Sequence, residues 1–275
     1  MTFHLDATEK HYAPHEARPG LRGILIPGRR GKLLSVLYLA GGEGPHPAVL
    51  LLHGIPGFEK NFDLAHILRR AGFHVMIFHY SGSWGSEGTY SLANDLEDAN
   101  TALDHLLADP AVDRDRVYAV GHSLGGFVCA HITAARPEIK GGVMLMPCDM
   151  GRIPVLREES PETYQVLAET MEISAPWLAG TTGEALIREA EENSETYRFE
   201  NLAEALVKKP LLCVTGELDN CTVAEYHCLP LERKLQSLGG TRFRHLSFPT
   251  DHSFADYRLT ISEQVTDFLL NLTRE

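Results

Sequence analysis

The chain has 275 residues, 44% of them apolar and 23% charged, with a formal charge of −12. That length suits one large α/β domain, alone or with an insertion. The acidic balance excludes nucleic acid and anionic membrane surfaces as expected partners, since phosphate binding needs a basic patch, and no apolar run approaches the ~20 residues that span a bilayer.

The opening stretch, MTFHLDATEKHYAPHEARPG, mixes charges and histidines without an apolar run, so no signal peptide is expected. LRGILIPGRRGKLLSVLYLAGG then reads as two strands joined by a Gly-containing turn. HPAVLLLHG is a continuous apolar run ended by glycine, the pattern of a strand buried on both faces. A helix is expected over 61–72, with Gly72 as its stop, and a buried strand in FHVMIFHY. After the loop SGSWGSEGTYS, the apolar positions Leu92, Leu96, Ala99, Leu103, Leu106 and Leu107 carry a helical period that ends before Pro110. RVYAVG is strand, LGGFVCAHITAARP helix and IKGGVMLMP strand.

Between 149 and 205 this alternation stops. The stretch holds 13 Asp/Glu against 4 Lys/Arg and reads as short amphipathic helices inserted between two strands. Alternation resumes with the strand PLLCVTG, a helix over 223–240 broken near Pro230, the strand RFRHLSFP and a final helix over 254–272. Such alternation predicts a mostly parallel sheet with helices on both faces. The expected organisation is a core of 1–148 and 206–275 with 149–205 as a helical cap. Cys129, Cys148, Cys213, Cys221 and Cys228 form no C-x-x-C pair, which suits a reducing cytoplasm.

Gly121-His122-Ser123-Leu124-Gly125 matches G-x-S-x-G and lies between a buried strand and a helix, where the motif requires it. The strained turn lifts the serine hydroxyl clear of the sheet, and the following helix offers free N–H groups. As a nucleophile, Ser123 needs a base, an acid and oxyanion donors. The backbone N–H of Leu124 is one donor, and Ile55, in LLLHGIPGF, is the candidate for the second. Only His252 follows the last expected strand and precedes the last helix, so it is the candidate base. His227 and His245 fall within helix and strand. Asp219 is the preferred acid, with Glu217 and Asp251 as weaker rivals. The chain order Ser, Asp, His is that of the α/β hydrolases rather than of chymotrypsin or subtilisin types.

HGIPG, GHSLGG, GELD and DHSF together resemble the α/β-hydrolase superfamily over nearly the whole chain. The loop FHYSGSWGSEG is similar to one in dienelactone-hydrolase-like, feruloyl-esterase-like and prolyl-oligopeptidase-like members, with Ser81 where many relatives carry arginine. The resemblance implies the α/β-hydrolase fold and makes 149–205 the cap over the active site. The expected activity is carboxylic ester hydrolysis through an acyl-enzyme, on a small-molecule ester. Amide or aminopeptidase-like hydrolysis is the alternative, and a non-catalytic ligand-binding role a further one. Trp84, Tyr164, Met171 and Trp177 are candidate pocket walls. The histidines show no H-E-x-x-H spacing, so neither metal nor organic cofactor is expected. A homodimer is compatible with the sequence.

Overall fold

A computed structural model describes residues 17–274. Most of the polar opening stretch, 1–16, and with it the signal-peptide expectation, lies outside the described residues. Eight strands form one sheet in the order β1-β2-β4-β3-β5-β6-β7-β8. β1 (Gly20–Gly28) and β2 (Gly31–Leu39) make an antiparallel hairpin whose turn is Arg29-Arg30. β2 joins β4 antiparallel, and from there β3 (His46–Leu52), β4 (His74–Phe78), β5 (Val112–His122), β6 (Ile139–Leu145), β7 (Leu211–Gly216) and β8 (Phe243–Phe248) run parallel. β5 begins at Val112 rather than at Arg116, because its polar start pairs with His46 before a register shift brings Val117 beside Ala48.

The continuous apolar runs follow from burial on both faces. Alternate residues of β3 divide between two cores. Ala48, Leu50 and Leu52 pack with α2 (Leu92–Ala108) and α3 (Leu124–Ala135), whereas Val49 and Leu51 pack with α1 (Phe62–Ala71) and the C-terminal helix.

Between β6 and β7 the chain forms α4 (Ile153–Glu159), α5 (Pro161–Ser174), α6 (Gly183–Glu192), α7 (Ser194–Tyr197) and α8 (Ala203–Leu206). Ile153, Leu156, Leu167, Leu186 and Phe199 from this insertion join the same core as α2 and α3. Backbone bonds fasten it further: Ala179 N–H donates to Gly82 O at 2.8 Å and Tyr90 N–H to Ala179 O at 2.9 Å. The Glu189 carboxylate accepts the N–H groups of Leu92 and Ala93 at 3.0 and 2.8 Å, a negative charge on the positive end of α2. The insertion is therefore seated on the sheet domain through its apolar faces, and its acidic excess remains largely on the outer faces.

The chain ends with α9 (Ala224–His227), α10 (Leu229–Ser237) and α11 (Arg258–Leu272). The break expected near Pro230 falls at Cys228, and Pro230 sits in the first turn of α10, where its missing N–H costs nothing. No helix among the described residues is long and apolar enough to cross a membrane.

One charged side chain opposes this packing. Asp95 on α2 is fully buried, and burial raises its pKa well above the ordinary carboxylate value; nearby Asp98 and Glu189 add to this, and neither carboxylate oxygen has a hydrogen-bond partner among the described residues. A raised folded-state pKa contributes stability below the unfolded value, 3.8, and that contribution is lost as pH rises toward the folded value. Asp95→Asn is thus expected to raise the thermal midpoint more at about pH 8 than at about pH 5, as followed by circular dichroism. An equal shift at both values would refute the assignment.

Candidate active site

The loops at the C-terminal ends of β3, β5, β7 and β8 carry Gly54, Ser123, Asp219 and His252, at the general location of sites in parallel α/β sheets. Ser123 follows β5 directly and adopts φ 57°, ψ −122°, a conformation that strains any side chain. The flanking glycines are dictated by contact. A Cβ on Gly121 would lie 1.9 Å from Gly125 O, and one on Gly125 would lie 2.1 Å from Leu52 O. Those approaches seat the start of α3 directly on the strand ends. Leu124 opens α3, so its N–H has no intrahelical acceptor.

On the other side of the serine, Gly54 packs so tightly that a Cβ there would meet Ser123 Cβ at 2.9 Å. This contact brings the backbone at 54–55 up against Ser123. His53 precedes it, fully buried, with its Nδ1 2.8 Å from Gly54 O and its Nε2 3.3 Å from His79 Nδ1. Burial lowers the pKa of His53 to about 3 and that of His79 to about 4, so both rings are neutral at physiological pH.

His252 and Asp219 meet, with Nδ1 of the imidazole 2.7 Å from Asp219 Oδ2. Asp219 is buried and richly solvated by the protein. Its Oδ1 accepts the N–H groups of Cys221 and Thr222 at 2.8 and 3.0 Å, and Oδ2 accepts the Thr222 hydroxyl at 2.6 Å. Burial alone would raise its pKa, but the bond and charge of His252, together with the Thr222 bonds, outweigh that and hold it well below the usual carboxylate range. The rivals are engaged elsewhere. Glu217 accepts from Ser247 Oγ at 3.4 Å, and Asp251 accepts Ala255 N–H at 2.9 Å.

Two supporting residues escaped sequence analysis. Thr222 Oγ1 lies 3.3 Å from His252 Nδ1 as well as on Asp219, so it fixes the carboxylate beside the ring. His122 donates from Nε2 to the main-chain carbonyl of His252 at 2.8 Å. It ties the histidine loop to the serine turn. The adjacency of His122 to the motif was the only available signal. His227 is buried, and its Nδ1 accepts Asp149 N–H at 2.9 Å.

The four candidate pocket residues separate into two groups. Trp84 donates its indole N–H to Pro56 O, beside Ile55, and its ring crosses Gly57 so closely that a Cβ there would lie 2.6 Å from Nε1. Trp177 is parallel to Trp84 with centroids 6.1 Å apart, and Phe58 meets both edge-on at 5.8 and 5.3 Å. Trp177 is 56% exposed and Phe58 58%. Tyr164 and Met171 are not brought to this rim. Tyr164 lies in a groove between α5 and α6 with Arg157, whose guanidinium donates to its hydroxyl at 2.7 Å. Met171 is buried and packs the insertion onto the sheet domain. Amphipathic spacing identified both as apolar contacts but could not distinguish pocket from core.

Residues 60–275 match the prolyl oligopeptidase family. A rice acylamino-acid-releasing enzyme is 28% identical over 115 residues, which cover 38% of this chain and 15% of that protein. Esterase EstD of Thermotoga maritima is 31% identical over 136 residues, covering 46% of this chain and 32% of EstD. An uncharacterized Mycobacterium tuberculosis protein is 32% identical over 58% of this chain, and the match spans 52% of its length. The matches thus span only about half or less of these curated relatives. Among solved structures, Est1E of Butyrivibrio proteoclasticus with bound ferulic acid superposes with a TM-score of 0.71 at 19% identity, covering 92% of this chain and 100% of that one. The Pyrococcus horikoshii acylaminoacyl peptidase superposes with a TM-score of 0.70 at 16% identity, covering 91% of this chain and 41% of that one. These likenesses establish the α/β-hydrolase fold.

Proposed function

The chain belongs to the prolyl oligopeptidase family of serine hydrolases, and from that premise we propose that it cleaves carboxylic esters through an acyl-enzyme formed on Ser123. The carrying observation is the bond between His252 Nδ1 and Asp219 at 2.7 Å, with the His252 loop tied by His122 to the turn of the strained Ser123. Because Nδ1–H donates to the carboxylate, Nε2 is the basic nitrogen. It takes the serine proton as Oγ attacks the carbonyl, and the carboxylate stabilises the imidazolium that results. The N–H groups of Ile55 and Leu124 receive the oxyanion, where loss of one donor costs roughly 3–4 kcal/mol. His252 then protonates the leaving alcohol, and water repeats the sequence to release the acid.

An aromatic acyl group is the favoured substrate feature. Phe58, Trp84 and Trp177 offer partly exposed ring surface next to the oxyanion loop, and offset or edge-on ring pairs contribute about 0.5–1.5 kcal/mol each beyond burial. The ferulic acid bound by Est1E is consistent with this choice. The residues over 149–205 would act as the cap that carries Trp177 to the rim. The acylamino-acid-releasing relatives favour a second reading, amide hydrolysis on the same serine.

A panel of p-nitrophenyl esters and aminoacyl anilides separates the two. Turnover of esters is expected, with aryl acyl groups preferred over short alkyl ones. Trp177→Ala should reduce kcat/KM for the aryl ester about 5- to 10-fold, the loss of one ring contact, with little effect on acetate esters. Cleavage of anilides without esters would overturn the ester assignment.

A further inference from the structure

Away from the serine, the outer edge of the sheet brings together a second group of reactive side chains. His245 lies on β8 and pairs in register with Cys213 on β7. α10 crosses above them, and the four-residue spacing of Cys228 and Glu232 puts both side chains on one side of its first turn. Cys228 Sγ, a Glu232 carboxylate oxygen and a His245 ring nitrogen all lie within 4.8 Å of one another. Glu232 Oε2 is 3.2 Å from His245 Nδ1.

We propose that Cys228, Glu232 and His245 form a metal site for a borderline-soft divalent cation, zinc by preference. Thiolate, imidazole and carboxylate together are the donor set of zinc rather than of magnesium or calcium, which take oxygen ligands alone. Tetrahedral zinc with such ligands places its donor atoms about 3.5 Å apart, so closure on the ion needs movements of about 1 Å. The support behind the imidazole matches a ligand's needs. His245 Nε2 is 2.8 Å from the hydroxyl of buried Thr215; donating the ring proton there would turn Nδ1, which faces Glu232 Oε2 at 3.2 Å, into the ligand atom for the ion. The group is partly buried: the side chains of His245 and Glu232 are 18% and 22% exposed, and Cys228 is buried beneath them. Three protein ligands leave the fourth position to solvent. The site would fasten α10 to β8, the strand whose end leads to His252, and it is independent of the hydrolase assignment.

The test is metal binding by the reduced, full-length protein after chelation, with zinc alone as the probe and a chromophoric chelator as competitor. One zinc per chain is expected, with thermal stability rising as free zinc increases. Thr215→Val should weaken binding about 10-fold, and Cys228→Ser or His245→Gln about 100-fold or more. Cobalt in place of zinc should give thiolate charge-transfer absorption in wild type that Cys228→Ser lacks. If that variant fails to fold, the wild-type cobalt spectrum decides the question. Ser123→Ala should bind zinc as wild type does, so failure of the catalytic assignment leaves this one standing. Absence of stoichiometric binding by wild type, or cobalt bound without a thiolate band, would overturn the proposal.

Discussion

Replacing Ser123 with alanine is expected to abolish ester turnover, lowering kcat about 10⁶-fold, because loss of a triad nucleophile costs about as much as loss of the whole triad. The fold should survive. Alanine keeps the Cβ that packs against Gly54, and the serine hydroxyl makes no capping bond to α3. The positive φ at this position strains alanine and serine alike, so the substitution adds little steric cost. Circular dichroism should therefore match wild type while labelling by a serine-reactive phosphonate disappears. About 10³-fold catalysis over water should remain from the oxyanion donors and binding. A Ser123→Ala protein retaining a tenth of wild-type activity would remove Ser123 from the mechanism altogether.

The site was legible from sequence in proportion to how far each residue depends on local backbone. Gly121, Ser123 and Gly125 could be read because a single turn forces all three: the Cβ atoms that glycine lacks would collide with backbone at 1.9 and 2.1 Å. His252 stood out as the one histidine between the last strand and the last helix, whereas Asp219 shared its loops with the rivals Glu217 and Asp251. Strand and helix order followed from apolar runs and periods, since burial on both faces leaves a direct mark on composition. Sequence could not assign Thr222 or His122, whose contacts cross from one loop to another and depend on strand register. Tyr164, in a groove between α5 and α6, and Met171, in the core, were hard to place for a related reason. Helical spacing says that a face is covered, not what covers it. The Cys228, Glu232 and His245 group was hidden because only the parallel pairing of β7 with β8 brings His245 under α10.

Asp219→Asn is expected to cost about 10⁴ in kcat, with KM little changed, because the amide imposes the wrong imidazole tautomer. Asp219 Oδ1 faces two backbone N–H donors, so the amide oxygen of asparagine must take that side. Its NH₂ then faces His252 Nδ1, which must accept rather than donate, and the ring proton moves to Nε2. A protonated Nε2 cannot take the proton of Ser123. Thr222 reinforces the outcome, since its hydroxyl loses its carboxylate acceptor and can turn to Met146 O, 3.1 Å away. Glu217→Gln and Asp251→Asn should stay near wild type, because neither carboxylate reaches the imidazole. The same substitution carries a stability signature of definite sign. A depressed carboxylate pKa contributes stability above the unfolded value, 3.8, and that contribution fades as pH falls through the folded value. Asp219→Asn should therefore melt below wild type at neutral pH, and the gap should narrow as the solution is acidified past about pH 4. Loss of activity with Glu217→Gln instead, and none with Asp219→Asn, would transfer the role of orienting acid to the other carboxylate.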